Sequence, residues 1–444
     1  MTWRIEPKTL AIACKFYWLD ENTFPMEYGY IYILLACGVG LWMTWGVGAN
    51  DLANIMSTAM GSKALSVRQA LFIAIVFEIA GAFLGGSGVA DTIRGGIIEP
   101  SAFAHAPELF VYAMLSVLMA GAVWMTMASF LGMPVSITNA IVGSLVGVGA
   151  IMLGTSAVHW QEVGYIAISW FSAPSIAGVV SYLLFISIKR SILGAEDPLG
   201  AAERYVPIYL FLVGIVLAIM TTLKGLNHFH VALNLFQKTG VVLITALLVL
   251  ISGMWSIKKI RLKLKFKLNR HTQFQYIENM FSVLMAFTAC AMVFAHGSND
   301  VAIAVGPIAG IISLVNSGQT MHDGWLITGI TLFGCLGVIL GLVMYGRKVI
   351  ETVGNAITTL TPSRAFAATL AAATTVVVST STGIPVSATQ TLVGAVFGVG
   401  LARGIGALNL TVIRNIFMSW IITIPAAAGL ATMFFYVLRT VFGN

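Results

Sequence analysis

The chain has 444 residues, 58% of them hydrophobic and 9% charged, with a mean hydropathy of +0.92; soluble domains run near ~45–50% apolar and ~25% charged. This balance excludes a soluble globular protein and predicts an all-α polytopic membrane protein, whose helices satisfy their own backbone groups inside lipid. The formal net charge of +7 does not indicate nucleic acid, because the basic residues are spread between apolar segments, and Cys14, Cys37, Cys290 and Cys335 are too scattered for a disulfide framework or a zinc motif.

A tail over 1–28 carries Arg4, Glu6 and Lys8 without the pattern of a cleavable signal peptide. Apolar windows able, or nearly able, to cross about 30 Å of hydrocarbon follow at 29–50, 67–87, 109–131, 135–153, 164–188, 206–223, 239–257, 277–295, 325–345, 364–380, 386–402 and 413–438. About twelve transmembrane segments are expected. With the loop after the seventh on the cytoplasmic side, 17 of the 24 Lys and Arg residues fall in cytoplasmic loops, so the termini are expected outside and the cluster from Lys258 to Lys267 reads as an anchor at anionic headgroups.

Within the first window, Gly48-Ala49-Asn50-Asp51-Leu52-Ala53-Asn54 places a carboxylate and two amides in apolar sequence, and Gly297-Ser298-Asn299-Asp300-Val301-Ala302 repeats it 249 positions later. A charge at bilayer depth costs at least ~2.5 kcal/mol, which marks both Asp residues as site candidates. Apolar but broken sequence after each pair predicts discontinuous helices rather than extra spans. Two further markers recur at nearly the same offset. Pro134-Val135-Ser136-Ile137-Thr138-Asn139 returns as Pro385-Val386-Ser387-Ala388-Thr389-Gln390, and Ser169-Trp170 with Pro174 and Gly178 returns as Ser419-Trp420 with Pro425 and Gly429.

One unit of about five segments is therefore duplicated: repeat 1 over 29–188, linking segments over 189–257, a basic cytoplasmic loop over 258–276, repeat 2 over 277–438 and a tail over 439–444. Seven crossings separate the two starts, an odd number, so the copies are expected to form an inverted repeat. If the Pro-Val-Ser segments fold inward as re-entrant hairpins, their helix N-termini converge near the midplane. Such termini are ready-made anion sites; Ser136, Thr138, Asn139, Ser387, Thr389 and Gln390 are the candidates for a tetrahedral oxyanion. Asn50, Asp51, Asn54, Asn299 and Asp300 are hard oxygen ligands for a cation such as Na⁺. Glu78 is a third intramembrane carboxylate, assigned a cation or proton role, and His296 stands four residues before Asp300 on one helix face.

On these residues the chain resembles the PiT family of inorganic phosphate transporters, with Gly48 to Asn54, Glu78, Gly132 to Thr138, Gly297 to Asp300 and Gly383 to Thr389 carrying the duplicated signature. The resemblance implies a cation-coupled phosphate symporter, usually a homodimer, using Na⁺ in some members and H⁺ in others, with no cofactor beyond the coupling ion and no enzyme activity. It also implies the Asn-Asp residues for the cation and the Pro-Val-Ser hydroxyls for phosphate. Where many members carry Thr-Thr-His or Ser-Thr-His, this chain has Ile137-Thr138-Asn139 and Ala388-Thr389-Gln390, one hydroxyl fewer in each pocket. The same residues admit a transporter of another oxyanion such as sulfate, or a passive anion channel.

Overall fold

A computed structural model of the protein describes residues 26, 28–98, 103, 106–220, 222, 234–261, 270–317, 324–347, 349–350 and 357–443. Residues 1–25 and 27 of the N-terminal tail and 262–269 of the basic loop lie outside the described residues. The first copy comprises α1 (Gly29–Val47), a π turn (Gly48–Leu52), α2 (Ala53–Gly61), α3 (Val67–Gly85), the short α4 (Ser87–Asp91), α5 (Pro107–Leu131), α6 (Ile137–Leu153) and α7 (Trp160–Ile188). Linking helices α8 (Pro198–Met220) and α9 (Leu235–Arg261) follow. The second copy is α10 (Arg270–His296), a π turn (Gly297–Val301), α11 (Ala302–Ser317), α12 (Gly324–Tyr345), α13 (Pro362–Thr380), α14 (Ala388–Arg403) and α15 (Leu410–Phe442).

Local chemistry sets the helix ends. Ser66 and Gln69 form a reciprocal capping box before α3, Pro107 and Pro362 occupy first turns, and Gly132, at φ 66°, closes α5 in the left-handed conformation a side chain would oppose. Nine apolar helices reach membrane-spanning length among the described residues. The windows at 135–153, 364–380 and 386–402 are α6, α13 and α14, the helices that adjoin the Pro-Val-Ser turns. At 1.5 Å per residue, α6 and α14, with 17 and 16 residues, reach only ~25 Å, short of a full crossing. The interruptions expected at both Asn-Asp motifs take the form of π turns rather than unwound chain, so α1 and α10 each run on into the next helix with a locally widened turn.

The copies pack reciprocally. Helix α7 lies on α14 and α13 as α15 lies on α6 and α5; α3 packs on α10 as α12 packs on α1; and each π turn packs on the α3 or α12 of the other copy. Exchange of this kind is the mark of a two-fold relation between like units. It is carried by glycines. A Cβ on Gly48 would strike the Val338 carbonyl oxygen and one on Gly297 the Glu78 carbonyl oxygen, while Gly81 and Gly341 lie under the carbonyl oxygens of Phe294 and Trp45. Since Gly48 matches Gly297 and Trp45 matches Phe294, Gly81 matches Gly341 and Glu78 matches Val338, at an offset of 260 rather than 249. Backbone cannot give way as a side chain can. Gly48→Ala and Gly341→Ala are expected to cost at least the ~1–3 kcal/mol of overpacking and to lower the yield of monodisperse protein in detergent, whereas Gly38→Ala, with nothing within 4 Å, should leave it unchanged.

Candidate functional site

The two Pro-Val-Ser turns meet tip to tip in the buried centre, each held by the Asn of its own copy. Asn50 donates from Nδ2 to the Met133 carbonyl at 2.9 Å and accepts at Oδ1 from the Val135 amide at 3.1 Å. Asn299 donates to the Val386 carbonyl at 2.6 Å and accepts from the Val386 amide at 3.3 Å. An uncharged amide side chain carries its donor and its acceptor on separate atoms, so it can clasp a carbonyl and an N–H of one turn together in an apolar interior. These two residues work as clamps on the turns.

Each serine then caps its helix. Ser136 Oγ accepts from the Asn139 amide at 3.2 Å and donates to Asn139 Oδ1 at 3.1 Å, and Ser387 Oγ accepts from the Gln390 amide at 3.1 Å. The prolines stand two residues before these caps rather than inside the first turn. Thr138 crosses to the other copy, donating to the Val386 carbonyl at 3.1 Å. Its counterpart Thr389 donates instead to Asp51 Oδ1 at 2.6 Å, and Asp51 Oδ2 accepts from the Ile137 amide at 3.3 Å. One carboxylate thus ties the N-terminus of α6 to that of α14. Among the described contacts the amides of Thr138, Ala388 and Thr389 have no partner, leaving donors from both turns at one place.

Asp300 occupies a different setting. His296 Nε2 lies 3.0 Å from Asp300 Oδ2 and His296 Nδ1 lies 2.7 Å from Glu78 Oε1, all three side chains being buried. Asn299 Nδ2 donates to Asp300 Oδ1. Asp51 and Asp300 are within electrostatic reach of each other and of His296. The two clusters join through Val386, which Asn299 clasps and Thr138 reaches. Asn54, one helical turn beyond Asp51, is buried with both Oδ1 and Nδ2 unpartnered, as is Gln390 Oε1; buried polar atoms left unpaired are uncommon. Asn54 Oδ1 is an oxygen ligand without a bond, suited to a hard cation. No group of three or more His, Cys, Asp and Glu suited to holding a metal occurs among the described residues.

The sequence candidates therefore fall around one centre, with Glu78 and His296 drawn in from different copies. That contact had no local signal, because the partners are 218 residues apart and the offset between the copies changes from 249 at Gly48 to 260 at Glu78. The proximity of His296 to Asp300 was legible as an i,i+4 spacing, but its second carboxylate was not.

A helical bundle that brings paired carboxylates and opposed helix N-termini to one buried centre defines a membrane transport protein. The sequence profile of the phosphate transporter family matches residues 47–431. A Haemophilus influenzae protein provisionally named a phosphate permease is 46% identical over 423 residues, covering 94% of this chain and 99% of its own length. A Pyrococcus abyssi protein with the same provisional name is 36% identical over 412 residues, covering 92% and 98%. Among solved structures, one described as the sodium-dependent phosphate transporter superposes with a TM-score of 0.84 at 33% identity, over 93% of this chain and 100% of that one. The chain belongs to the phosphate transporter family.

Proposed function

We propose that the protein is a secondary-active symporter that imports inorganic phosphate with a cation, Na⁺ or H⁺, by alternating access across a bacterial inner membrane. The observation that carries this reading is Asp51, a buried carboxylate bound at once to the α6 amide of Ile137 and to Thr389 on α14. A phosphate anion drawn to the unpartnered amides of Thr138, Ala388 and Thr389 would compete for these two helix termini with the charge of Asp51, which already holds the neighbouring Ile137 amide and Thr389 hydroxyl. A cation on the Asp51 and Asn54 oxygens relieves that competition, since opposite charges ~4 Å apart attract by ~4 kcal/mol at an effective dielectric near 20. Binding of each ion then raises the affinity for the other by the same factor.

Phosphate is assigned to Ser136, Thr138, Asn139, Ser387, Thr389 and Gln390, and the cation to Asn50, Asp51, Asn54, Glu78, Asn299 and Asp300, with Na⁺ at Asp51 and Asp300 if sodium is the coupling ion. Asn50 and Asn299 act through the turns they clasp. A homodimer with external termini completes the reading. The test is uptake of labelled phosphate into proteoliposomes with Na⁺ and pH gradients imposed separately: one gradient should drive accumulation, and uptake indifferent to both would indicate a passive anion channel. Sulfate replacing phosphate at equal affinity would redirect the substrate assignment.

Ser136→Ala and Ser387→Ala each remove a helix cap, so the donors of that turn lose their alignment. A lost cap or hydrogen bond is worth about 0.5–2 kcal/mol, and phosphate affinity should fall several-fold to about thirtyfold; unchanged affinity in both would place the anion elsewhere. Orientation is checked with single cysteines in a background lacking the native four. Lys263→Cys should react with an impermeant thiol reagent from the cytoplasm only and His230→Cys from outside only. Labelling of both from one side would make the copies parallel.

A further inference from the structure

A groove of about 730 Å³, away from the central site, lies between the α2–α3 turn, the end of α9 and the start of α10. Along α10 its lining changes character in chain order, from Gln275 and Asn279 to Val283 and Phe287. Twelve residues at 1.5 Å each make this gradient ~18 Å long. The polar end is exposed and the apolar end half-buried. At the mouth stands Lys63, exposed, without an ion pair to a described residue, and held at φ 61° in the left-handed region where side chains are rarely found.

The depth of the groove in the bilayer follows from α9. Leu243, Ile244, Leu247, Leu248 and Ile251 are exposed apolar residues on its outer face, which suits lipid tails. One turn further on, Lys259 Nζ lies 3.3 Å from the centre of the Trp255 ring. Trp and Lys together mark the level of the headgroups. Ser256 and Ile260, which line the groove, are the next residues along from this pair, so the groove opens at headgroup depth with its cation outward and its apolar end toward the tails.

We propose that this groove is a binding site for one anionic phospholipid, the headgroup phosphate on Lys63 with the amides of Gln275 and Asn279, and an acyl chain along Val283 and Phe287. Charge complementarity selects an anionic over a zwitterionic headgroup. The site is independent of the transport reading, because none of its lining residues belongs to the central site.

Native mass spectrometry of the intact purified protein, exposed to equal amounts of phosphatidylglycerol and phosphatidylethanolamine, tests it. The unaltered protein should retain phosphatidylglycerol in several-fold preference, Lys63→Arg should keep that preference, and Lys63→Gln should lose it while phosphate uptake continues. Val283→Trp, which fills the apolar end, should reduce retention of both lipids. Undiminished preference in Lys63→Gln overturns the proposal. So does displacement of the lipid by millimolar inorganic phosphate, which would assign the anion to free phosphate, and so does full lipid retention in Val283→Trp.

Discussion

Reconstituted protein carrying Asp51→Asn is expected to insert and fold yet accumulate no phosphate against its gradient. The amide keeps the shape of the side chain and can still accept from Thr389 Oγ1 or the Ile137 amide. It loses the charge. A neutral acceptor forfeits part of the ~1.5–3 kcal/mol of each charge-assisted bond, so the tie between α6 and α14 loosens. The greater loss is the attraction that draws a cation to the centre, which no neutral group replaces. Thr389→Ser, which keeps the hydroxyl, should retain most activity, while Thr389→Val should approach the Asp51→Asn phenotype. Gradient-driven accumulation at the unaltered rate by Asp51→Asn would remove this carboxylate from the site.

The second large effect concerns stability. His296 is set between the Glu78 and Asp300 carboxylates, with contacts of 2.7 and 3.0 Å and no exposure to solvent. His296→Ala leaves both acids facing a void. Breaking a buried pair from one side costs ~3–5 kcal/mol, because the abandoned charge stays desolvated. The variant is expected to unfold at markedly lower temperature in detergent and to give poor yields. Adding Glu78→Gln should recover part of the loss by removing one of the stranded charges. If the single and double variants unfold at the same temperature, the linkage between α3 and α10 is structural packing rather than electrostatics.

Much of the architecture was legible in the chain because its logic is repetition. A carboxylate in apolar sequence is conspicuous once, and Asp51 with Asp300 made it decisive. The Pro-Val-Ser turns were readable as helix starts, and both serines do cap their helices. What escaped was everything that depends on which copy a side chain reaches. Thr138 and Thr389 occupy matched positions, yet one bonds a carbonyl and the other a carboxylate; no pattern within a repeat encodes that difference. Glu78 lacked a visible counterpart because its structural equivalent is Val338, displaced by a change in spacing that only the glycine contacts reveal. The π turns were missed for another reason: the small and polar residues of each motif read as a break in the helix, whereas one extra residue in the turn accommodates them without unwinding it.

The reciprocal packing of the copies also bears on how the protein is made. Helices α6 and α7 find their principal partners in α15 and α14, which leave the ribosome some 250 residues later. At ~5–20 residues per second of synthesis, the first half waits in the membrane for about 12 to 50 seconds with Asp51 and Glu78 unmatched. During that interval it is a substrate for insertion chaperones and quality-control proteases, and a chain arrested before α14 would be cleared rather than stored. Half-length products are therefore expected to be short-lived in cells, while the two halves expressed together as separate chains should rescue one another.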